Sequence, residues 1–543
     1  MNTMTRRLTV LGVVGVLAFI ESGMAAGGIG APRVVAAEVS SSQSIPTGER
    51  SAAPPLDSES ASPAKAAIDA VSLNVVGMLV AGFFVMLMQA GFAMLETGLC
   101  RAKNATHTIS MNMMLYPLGC LAFWVYGFAL GWGNWHHAPA IGSWRVSLGE
   151  GAAVLDHGLG LGPVVDAAGK ATGAYAYGLL GTKGFFFSGI HDGGTCALFF
   201  LMMLFLITTA AVATGSMVER WSWRNFCLFG AWIALPFGVY ANWVWGGGWL
   251  ALAGQNWHLG HGAVDFAGSG VVHALGGVIA LAGTLVLGPR LGKFRERGPT
   301  PIPGHHVPMV VVGTFLLAAG WFGMTGGAAL AGTNLPIGLI AVNTVLAGAA
   351  GALAAMSTLR MKRIKPDPTI LSNGLLAGLV AISAACPFVD PWAAVVIGGA
   401  AGTLVVFSVF FWEKRRIDDP VGAVSVHGVA GLWGLIAVGL FANGRYGAGW
   451  NGVVRPSFVD GIAKPLGYDG VRGLFYGDAS QLVIQLIDAA VLAVFGFLMA
   501  YAWFELSNRI SPIRVGRETE LQGLDAPEMG ALAYPDFTVT TRT

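Results

Sequence analysis

Eleven apolar stretches divide this sequence, and each is long enough to cross a hydrocarbon core of roughly 30 Å. Hydrophobic residues make up 54% of the 543 residues and charged residues only 11%, which excludes a soluble globule with an ordinary charged surface. The sequence therefore predicts an all-α polytopic membrane protein with eleven transmembrane helices. The stretches lie at about 72–96, 109–132, 194–218, 225–250, 267–288, 307–330, 335–359, 370–387, 391–412, 421–442 and 480–507.

Lysine and arginine are unevenly distributed among the connections. The short even-numbered connections near 251–266, 331–334 and 388–390 have none, whereas every odd-numbered connection is basic. Because basic connections stay on the cytoplasmic side, we expect a periplasmic N-terminus and a cytoplasmic C-terminus. The basic residues are Arg101, Lys103, Arg220, Arg224, Arg290, Lys293, Arg295, Arg297, Arg360, Lys362, Arg363, Lys365, Lys414, Arg415 and Arg416, followed in the tail by Arg509, Arg514 and Arg517.

The ends of the chain differ from its apolar centre. Residues 1–37 have two arginines, an apolar run and then small residues, the pattern of a signal peptide. Residues 38–71, rich in Ser, Ala and Pro, are predicted to form a disordered external leader. A transmembrane domain at 72–508 and a cytoplasmic tail at 509–543 follow. The long external connections 133–193 and 443–479 carry no pattern that indicates a function.

Charge and cysteine content exclude several classes of function. The net charge of +2 and the lack of a basic patch interleaved with aromatic residues argue against nucleic-acid binding. The five cysteines have no CxxC spacing, which argues against a zinc site or a disulfide scaffold. His258 and His261 have the spacing of a metal-binding pair, but no carboxylate or cysteine lies at ligand spacing. We expect neither a metal nor a cofactor.

Two pairs of ionisable residues recur at the same spacing. Asp265 precedes His273 by eight residues, and Asp419 precedes His427 by eight. At 1.5 Å per residue, each histidine lies about 12 Å further along its helix, close to the bilayer midplane. Since five helices separate the copies, helices 6–10 are predicted to be an inverted repeat of helices 1–5, with the histidines meeting between them. Each aspartate also suits a helix N-cap, and each histidine alone suits a hydrogen-bonded core position.

Other candidates have a simpler structural alternative. Trp245 precedes three glycines, where an exposed indole face beside bare backbone suits a small cation, although tryptophans at a helix end also form interfacial belts. Phe205 alone suggests a core residue. For Glu96, pairing with a partner such as Lys103 or Asn104 is a simpler interpretation than a role in a pore. Glu219 and Arg220 suggest a structural ion pair.

Nine motifs in order resemble the superfamily of ammonium transporters, methylammonium permeases and Rhesus proteins over residues 70–535. The resemblance implies a homotrimer whose eleven-helix protomers each enclose a narrow hydrophobic pore. The motifs are "AGFAMLETGLCRAKN", "MVERW", "NWVWGGGWL", "DFAGSGVVH", "GWFG", "AVNT", "NGLLAGLVAI", "DDPVGAVSVHGVAGLWG" and "GRETELQGLD".

The resemblance assigns a role to each candidate residue. It makes Trp245 the aromatic wall of an external ammonium site and Asp265 the acid that organises this site or takes up its proton. Phe205 corresponds to one phenylalanine of the pair that closes the pore entrance. His273 and His427 correspond to the twin histidines that line the pore.

The sequence departs from the family pattern at four positions. Met324 stands at the position of the second gate phenylalanine, and Ala328 replaces the serine that supplies a hydroxyl to the external site. Gly422 stands where many members carry an aspartate, and Met529 replaces a common histidine in the tail. By resemblance, residues 509–543 form a regulatory tail that a P-II-type nitrogen regulatory protein engages.

The expected function is transport of ammonium or ammonia across the inner membrane, where membrane lipid surrounds the protein. One alternative is an ammonium sensor of the same fold with little transport. A second is a membrane metalloenzyme or haem protein that uses His273 and His427 as ligands, which the absence of further ligand residues beside either histidine disfavours.

Overall fold

The computed structural model describes residues 63–135, 155–165, 171–296, 298–330, 336–453, 458–459, 462–463 and 470–536. Residues 59–164 and 171–543 form one compact unit, and the elements below belong to it apart from Val165. The predicted signal peptide and residues 38–62 of the predicted leader lie outside the described residues. The leader's last residues, 63–71, are helical and begin the first membrane helix.

In the described part of the chain, ten apolar helices are long enough to cross a membrane, and an eleventh, Pro368–Ile382, is shorter. The prediction of an eleven-helix membrane protein is thereby confirmed. The helices are α1 (Pro63–Leu99), α2 (Ala102–Trp132), α3 (Gly193–Met217), α4 (Trp223–Trp257), α5 (Ser269–Leu287), α6 (Val307–Gly327), α7 (Ile337–Met361), α8 (Pro368–Ile382), α9 (Pro391–Lys414), α10 (Val424–Phe441) and α11 (Ala479–Ile510).

The helix α8 ends five residues before its predicted boundary because other segments bind the backbone that follows. The carbonyl oxygens of Ser383 and Ala384 accept the N–H groups of Ala267 and Phe266. The side-chain amide of Asn343 donates to two further carbonyl oxygens in this turn and just beyond it. These contacts attach the end of α8 to the segment before α5.

The helix bundle has two ends that differ in their residues. The tryptophan end carries Trp243, Trp245 and Trp249, and the arginine end carries Arg101, Arg220 and Arg290. Helix α4 is interrupted between Val244 and Trp249, where the chain passes through three glycines at the tryptophan end.

The connection 133–193 contains a β-hairpin that the sequence analysis did not predict. Strand β1 (Gly158–Val165) pairs with β2 (Ala171–Gly181). The hairpin lies against the tryptophan end, where Nε1 of Trp243 donates to the carbonyl of Leu179 at 2.8 Å. Two shorter antiparallel pairs are β3 (Phe294–Arg295) with β4 (Gly298–Pro299), and β5 (Phe458–Val459) with β6 (Ile462–Ala463).

The helices pack closely through glycine. Helix α1 lies along α6, and a Cβ at Gly91 would come within 2.7 Å of Leu317, while one at Gly313 would come within 2.7 Å of the Leu95 nitrogen. Small residues at helix contacts allow this approach in membrane proteins. The chain has 79 glycines, and those at helix contacts permit this close packing.

A buried ionic network holds the arginine end together. The predicted pairing of Glu219 with Arg220 is wrong, because Glu219 binds Arg101 and Arg290 instead. Arg290 also binds both carboxylate oxygens of Asp418, at 2.9 and 3.0 Å. Arg220 donates to backbone carbonyls, among them that of Asp418. The network joins the connections that follow α3, α5 and α9.

The C-terminal tail docks against the same end. A short helix α12 (Arg517–Gln522) is followed by a π-helical turn at Asp525–Met529. Glu520 accepts from Arg514 and from the Leu291 N–H, and Asp525 accepts from the His107 N–H at 2.9 Å. The tail therefore contacts the connection after α5 and the helix α2.

Candidate functional site

Helices α5 and α10 begin with matching caps at opposite ends of the bundle. Asp265, at the tryptophan end, accepts the backbone N–H groups of Gly268, Gly270 and Val271 at 2.8–3.1 Å. Asp419, at the arginine end, accepts those of the residues three, four and five positions later, also at 2.8–3.1 Å. The predicted capping roles are confirmed. Burial raises the pKa of Asp265 to about 6, since the backbone donors offset only part of the cost of desolvating its charge.

The two histidines meet in the interior, as their spacing predicted. Both lie in π-helical turns, Ser269–Ala274 and Val424–Val429. Their Nδ1 atoms are 3.2 Å apart and both rings are buried. The helices approach closely here, because a Cβ at Gly277 would overlap the backbone of Gly428. Two glycines thus allow the two imidazoles to lie side by side.

A Nδ1–Nδ1 contact gives the two rings opposite roles. If both imidazoles are neutral, one Nδ1–H donates to the other, whose Nδ1 accepts. The donor ring then has a bare Nε2, and the acceptor ring has an Nε2–H. In the described structure, Nε2 of His273 is buried without a hydrogen-bond partner. The pair can therefore offer one acceptor and one donor to a small neutral molecule.

Aromatic rings fix the two imidazoles, and the sequence analysis missed both of them. Trp321 stacks on His273 with a centroid distance of 4.7 Å and an interplanar angle of 17°, and its Nε1 donates to Ser383 at 2.9 Å. Phe92 lies 6.0 Å from His427. Trp321 in α6 and Phe92 in α1 occupy related places in the two repeats. An aromatic residue in an apolar helix looks like core, so the sequence alone carries no signal for this role.

Trp245 and Phe205 lie together at the tryptophan end of the site. Nε1 of Trp245 donates to the backbone carbonyl of Asp265 at 2.6 Å, which fixes the plane of the buried indole. The Phe205 ring is 6.0 Å from that of Trp245 and is fully buried. The structure therefore brings Trp245, Asp265 and Phe205 together.

Met324 lies in the last turn of α6, Ala328 follows the helix directly, and both are buried. A Cβ at Gly327 of α6 would lie 3.3 Å from the side chain of Leu201 in α3. Since α3 and α6 run in opposite directions, the turn that precedes Gly327 and the turn that follows Leu201 lie at the same depth. Met324 and Phe205 occupy these two turns.

The local backbone conformation explains why glycine occupies position 422. Its φ is +81°, in the left-handed region that favours glycine. A Cβ there would also lie 2.7 Å from Nδ2 of Asn373, which donates to the carbonyl of Val421. An aspartate at this position needs a different path for the chain before α10.

A small cavity, with room for about one water-sized molecule, lies on the arginine side of the histidine pair. Its lining includes His427, Phe92, Asn373 and Glu96. The sequence analysis did not predict this cavity, because its walls come from α1, α3, α6, α8 and the start of α10.

The expected partners of Glu96 are wrong. Lys103 donates to backbone carbonyls of the tail, and Asn104 donates to the carboxylate of Glu219. Glu96 instead accepts from Nδ2 of Asn112 at 2.7 Å, and its two oxygens each lie 3.0 Å from Oγ1 of Thr214. It therefore belongs to the cavity.

Comparison with known proteins agrees with the motifs and the fold. The chain is 41% identical over 473 residues to Ammonium transporter Amt2 of Archaeoglobus fulgidus, covering 86% of this chain and 89% of that protein. It is 32% identical over 486 residues to Ammonium transporter Amt1 of Haloferax mediterranei, covering 86% of this chain and 80% of that one.

Solved structures agree as well. A structure named "Sensor Amt Protein" matches 85% of this chain and 99% of its own, with a TM-score of 0.68 and 28% identity. Mep2 of Candida albicans matches 87% of this chain and 92% of its own, with a TM-score of 0.65 and 25% identity. The model of the Ammonium Transporter Family matches residues 76–534. The chain is a multi-pass membrane protein that belongs to the ammonium transporter family.

Proposed function

We propose that the protein moves ammonium, as ammonia and a relayed proton, across a bacterial inner membrane through a pore at the His273–His427 pair. The observation that carries this proposal is the 3.2 Å contact between the two buried Nδ1 atoms. Ionisable side chains are costly inside a membrane, so two that touch at the crossing of two repeats favour a role in transport.

Recruitment occurs at the tryptophan end. The indole of Trp245, fixed by its hydrogen bond to Asp265, presents an aromatic face to a small cation. The Asp265 carboxylate lies behind it and adds a negative charge. A hydrated cation would be held there and would pass a proton to the Asp265 carboxylate before ammonia enters the apolar interior.

Phe205 and Met324 form the gate below this site. Phe205 is rigid and Met324 is flexible, but both are apolar and both are buried. A constriction of this kind opposes an ion strongly and a neutral molecule weakly, because a charge without a partner is expensive to desolvate. The gate therefore favours ammonia over ammonium.

The histidine pair then receives ammonia. Ammonia donates and accepts hydrogen bonds, and the pair offers one bare Nε2 and one Nε2–H. When the bare Nε2 takes up a proton, the Nδ1–H proton passes to the second ring and that ring releases its Nε2–H proton, which exchanges these roles. The aromatic neighbours, Trp321 and Phe92, hold both rings in position for this exchange.

The orientation follows from the basic connections. The tryptophan end and the N-terminus face the periplasm, and the arginine end and the C-terminus face the cytoplasm. The proposed assembly is a homotrimer, as the resemblance to the family implies. Its tail, docked through Glu520 and Asp525 on cytoplasmic connections, is placed to respond to a P-II-type regulator.

A sensor role is the second candidate, and the similarity to the structure named "Sensor Amt Protein" favours it. In a sensor, the site at Trp245 and Asp265 still binds ammonium, but flux through the histidine pair is small. Binding without flux separates the sensor from the transporter.

The test is methylammonium uptake into proteoliposomes with an electrical readout. Wild type should show saturable uptake, and Asp265→Ala should lose it, because this variant removes both the charge and the side-chain cap at the start of α5. If wild type binds methylammonium but shows neither flux nor current under any gradient, the protein is a sensor and the transport proposal is wrong.

A further inference from the structure

The inner cavity holds a buried acidic side chain that the transport proposal leaves unused. Glu96 is 1% exposed and lines this small cavity together with His427 and Asn373. It thus lies on the route from the histidine pair to the arginine end.

The protein's own hydrogen bonds occupy only part of the acceptor capacity of the Glu96 carboxylate. Asn112 donates one hydrogen bond, and Gly215 packs closely against the same carboxylate. Thr214 has a single hydroxyl hydrogen, and its Oγ1 also lies 2.7 Å from the carbonyl oxygen of Ala211. This hydrogen can serve either the carbonyl or the carboxylate. An ionised carboxylate has about four acceptor positions, so capacity remains for a ligand with N–H groups.

The cationic side chains nearest to Glu96 at the arginine end bind other groups. Arg101 pairs with Glu219, Arg290 pairs with Glu219 and Asp418, and Lys103 binds carbonyls of the tail. Within the part of the chain that the structure describes, no lysine or arginine pairs with Glu96. A buried carboxylate with no cation is expensive, so a mobile cation is a fitting partner for it.

The inverted repeat shows that this carboxylate is not a general packing feature. Glu96 lies four residues after Phe92, and Thr325 lies four residues after Trp321, the aromatic residue at the other histidine. Thr325 donates to the carbonyl of Trp321 and lies 3.2 Å from the hydroxyl of Thr344. The second repeat therefore has a hydrogen-bonded threonine hydroxyl at the position where the first repeat has a carboxylate that faces a cavity.

We propose that Glu96 is the anionic centre of an inner binding site for a small cation with N–H donors, such as ammonium or methylammonium. Its carboxylate supplies the charge, and the amide of Asn373 and the ring of His427 complete the wall. The inference rests on the proposed transport function, and it adds a second site at which the cation is held before it leaves the pore.

The experiment compares methylammonium flux from the two sides, in right-side-out and everted vesicles. Glu96→Gln keeps the shape of the side chain and removes its charge. We expect KM measured from the arginine end to rise about tenfold or more, while KM from the tryptophan end changes by less than about twofold. The control is Asp367→Asn, which removes an exposed acid at the same end that caps α8 and lies outside the cavity; it should leave both KM values unchanged.

Unchanged KM from the arginine end in Glu96→Gln, with flux in wild type and loss in Asp265→Ala, overturns the inner site and leaves the transport proposal intact. Absence of flux in wild type instead removes the transport proposal. If Glu96→Gln does not assemble, Glu96→Asp keeps the charge but withdraws it from the cavity by one methylene. It should raise the same KM several-fold, and an unchanged value counts against the inner site.

Discussion

Asp265 and Asp419 make the same contact at opposite ends of the molecule, where each carboxylate accepts three backbone N–H groups at the start of a histidine-bearing helix. The pair provides a matched test of Asp265. Asparagine keeps one of the two acceptor oxygens at each cap, so Asp265→Asn and Asp419→Asn should reduce the free energy of unfolding by similar amounts, about 1–3 kcal/mol each. Methylammonium transport should fall strongly only in Asp265→Asn, because only this variant loses the charge behind Trp245. Equal transport in the two variants would make Asp265 a cap and nothing more.

Trp321 should act as a positioning residue for His273. Trp321→Phe keeps an aromatic ring over the imidazole and loses the hydrogen bond to Ser383, which is worth about 1 kcal/mol. Trp321→Leu loses the stack as well. We expect the pH profile of transport to be retained in the first variant and altered in the second. Ser383→Ala, which loses the same hydrogen bond, is the control, and identical profiles in both Trp321 variants would contradict a positioning role.

Ala328 should limit the affinity of the outer site. Ala328→Ser restores an acceptor to the end of α6, and a hydrogen bond of about 1 kcal/mol corresponds to a KM for methylammonium that is about fivefold lower. Ala329→Ser, at an equally buried neighbour, should leave KM unchanged. No change in Ala328→Ser means that a backbone carbonyl or a water already provides this contact.

Gly422 should resist the aspartate that many family members carry. A side chain in the left-handed region costs about 1–2 kcal/mol, and the contact with Asn373 adds to this. Gly422→Asp should therefore lower the thermal unfolding temperature in detergent. Gly399→Ala in α9, where a new Cβ has open space, should not lower it. A Gly422→Asp variant as stable as wild type would show that the chain before α10 adapts.

Arg290 should be essential for the stability of the arginine end. Arg290→Met leaves Glu219 and Asp418 with less compensation, and breaking such a buried pair costs about 3–5 kcal/mol. Burial opposes ionisation of Asp418, yet Arg220 and Arg290 together hold the pKa of this carboxyl well below its usual range. Its contribution to stability is therefore present above the unfolded pKa of about 3.9 and is lost as the pH falls towards the lower folded pKa.

Thermal unfolding of Arg290→Met and wild type at pH 7 and at acid pH measures this effect. The difference between the two proteins should be large at pH 7 and should shrink in acid. Lys293→Met, which removes a more exposed pair with Glu413, should cost no more than about 1 kcal/mol. A difference that does not depend on pH would place the role of Arg290 in packing rather than in charge.

The sequence predicted those features that depend only on the geometry of an α-helix and on the apolar bilayer around it. Hydropathy alone locates eleven helices, because the hydrocarbon core requires long apolar runs. The repeated spacing of aspartate and histidine predicts that His273 and His427 approach from opposite ends, since a helix converts residue number into distance. The caps at Asp265 and Asp419 follow from the same local geometry.

Other features depend on contacts that no single segment contains. Trp321 and Phe92 look like ordinary core, and their role appears only when α6 and α1 are placed beside the histidines. Glu96 was assigned to Lys103 or Asn104 by proximity in sequence, but its partners come from α2 and α3. The β-hairpin in 133–193 lies outside the membrane, where hydropathy gives no guide.

The decisive measurement is electrical recording of methylammonium-driven current, with wild type and His273→Ala reconstituted at equal density. We expect a saturable current in wild type that falls about tenfold or more in His273→Ala, with both proteins assembled to the same extent. Currents of the same size in the two proteins would contradict a pathway through the histidine pair.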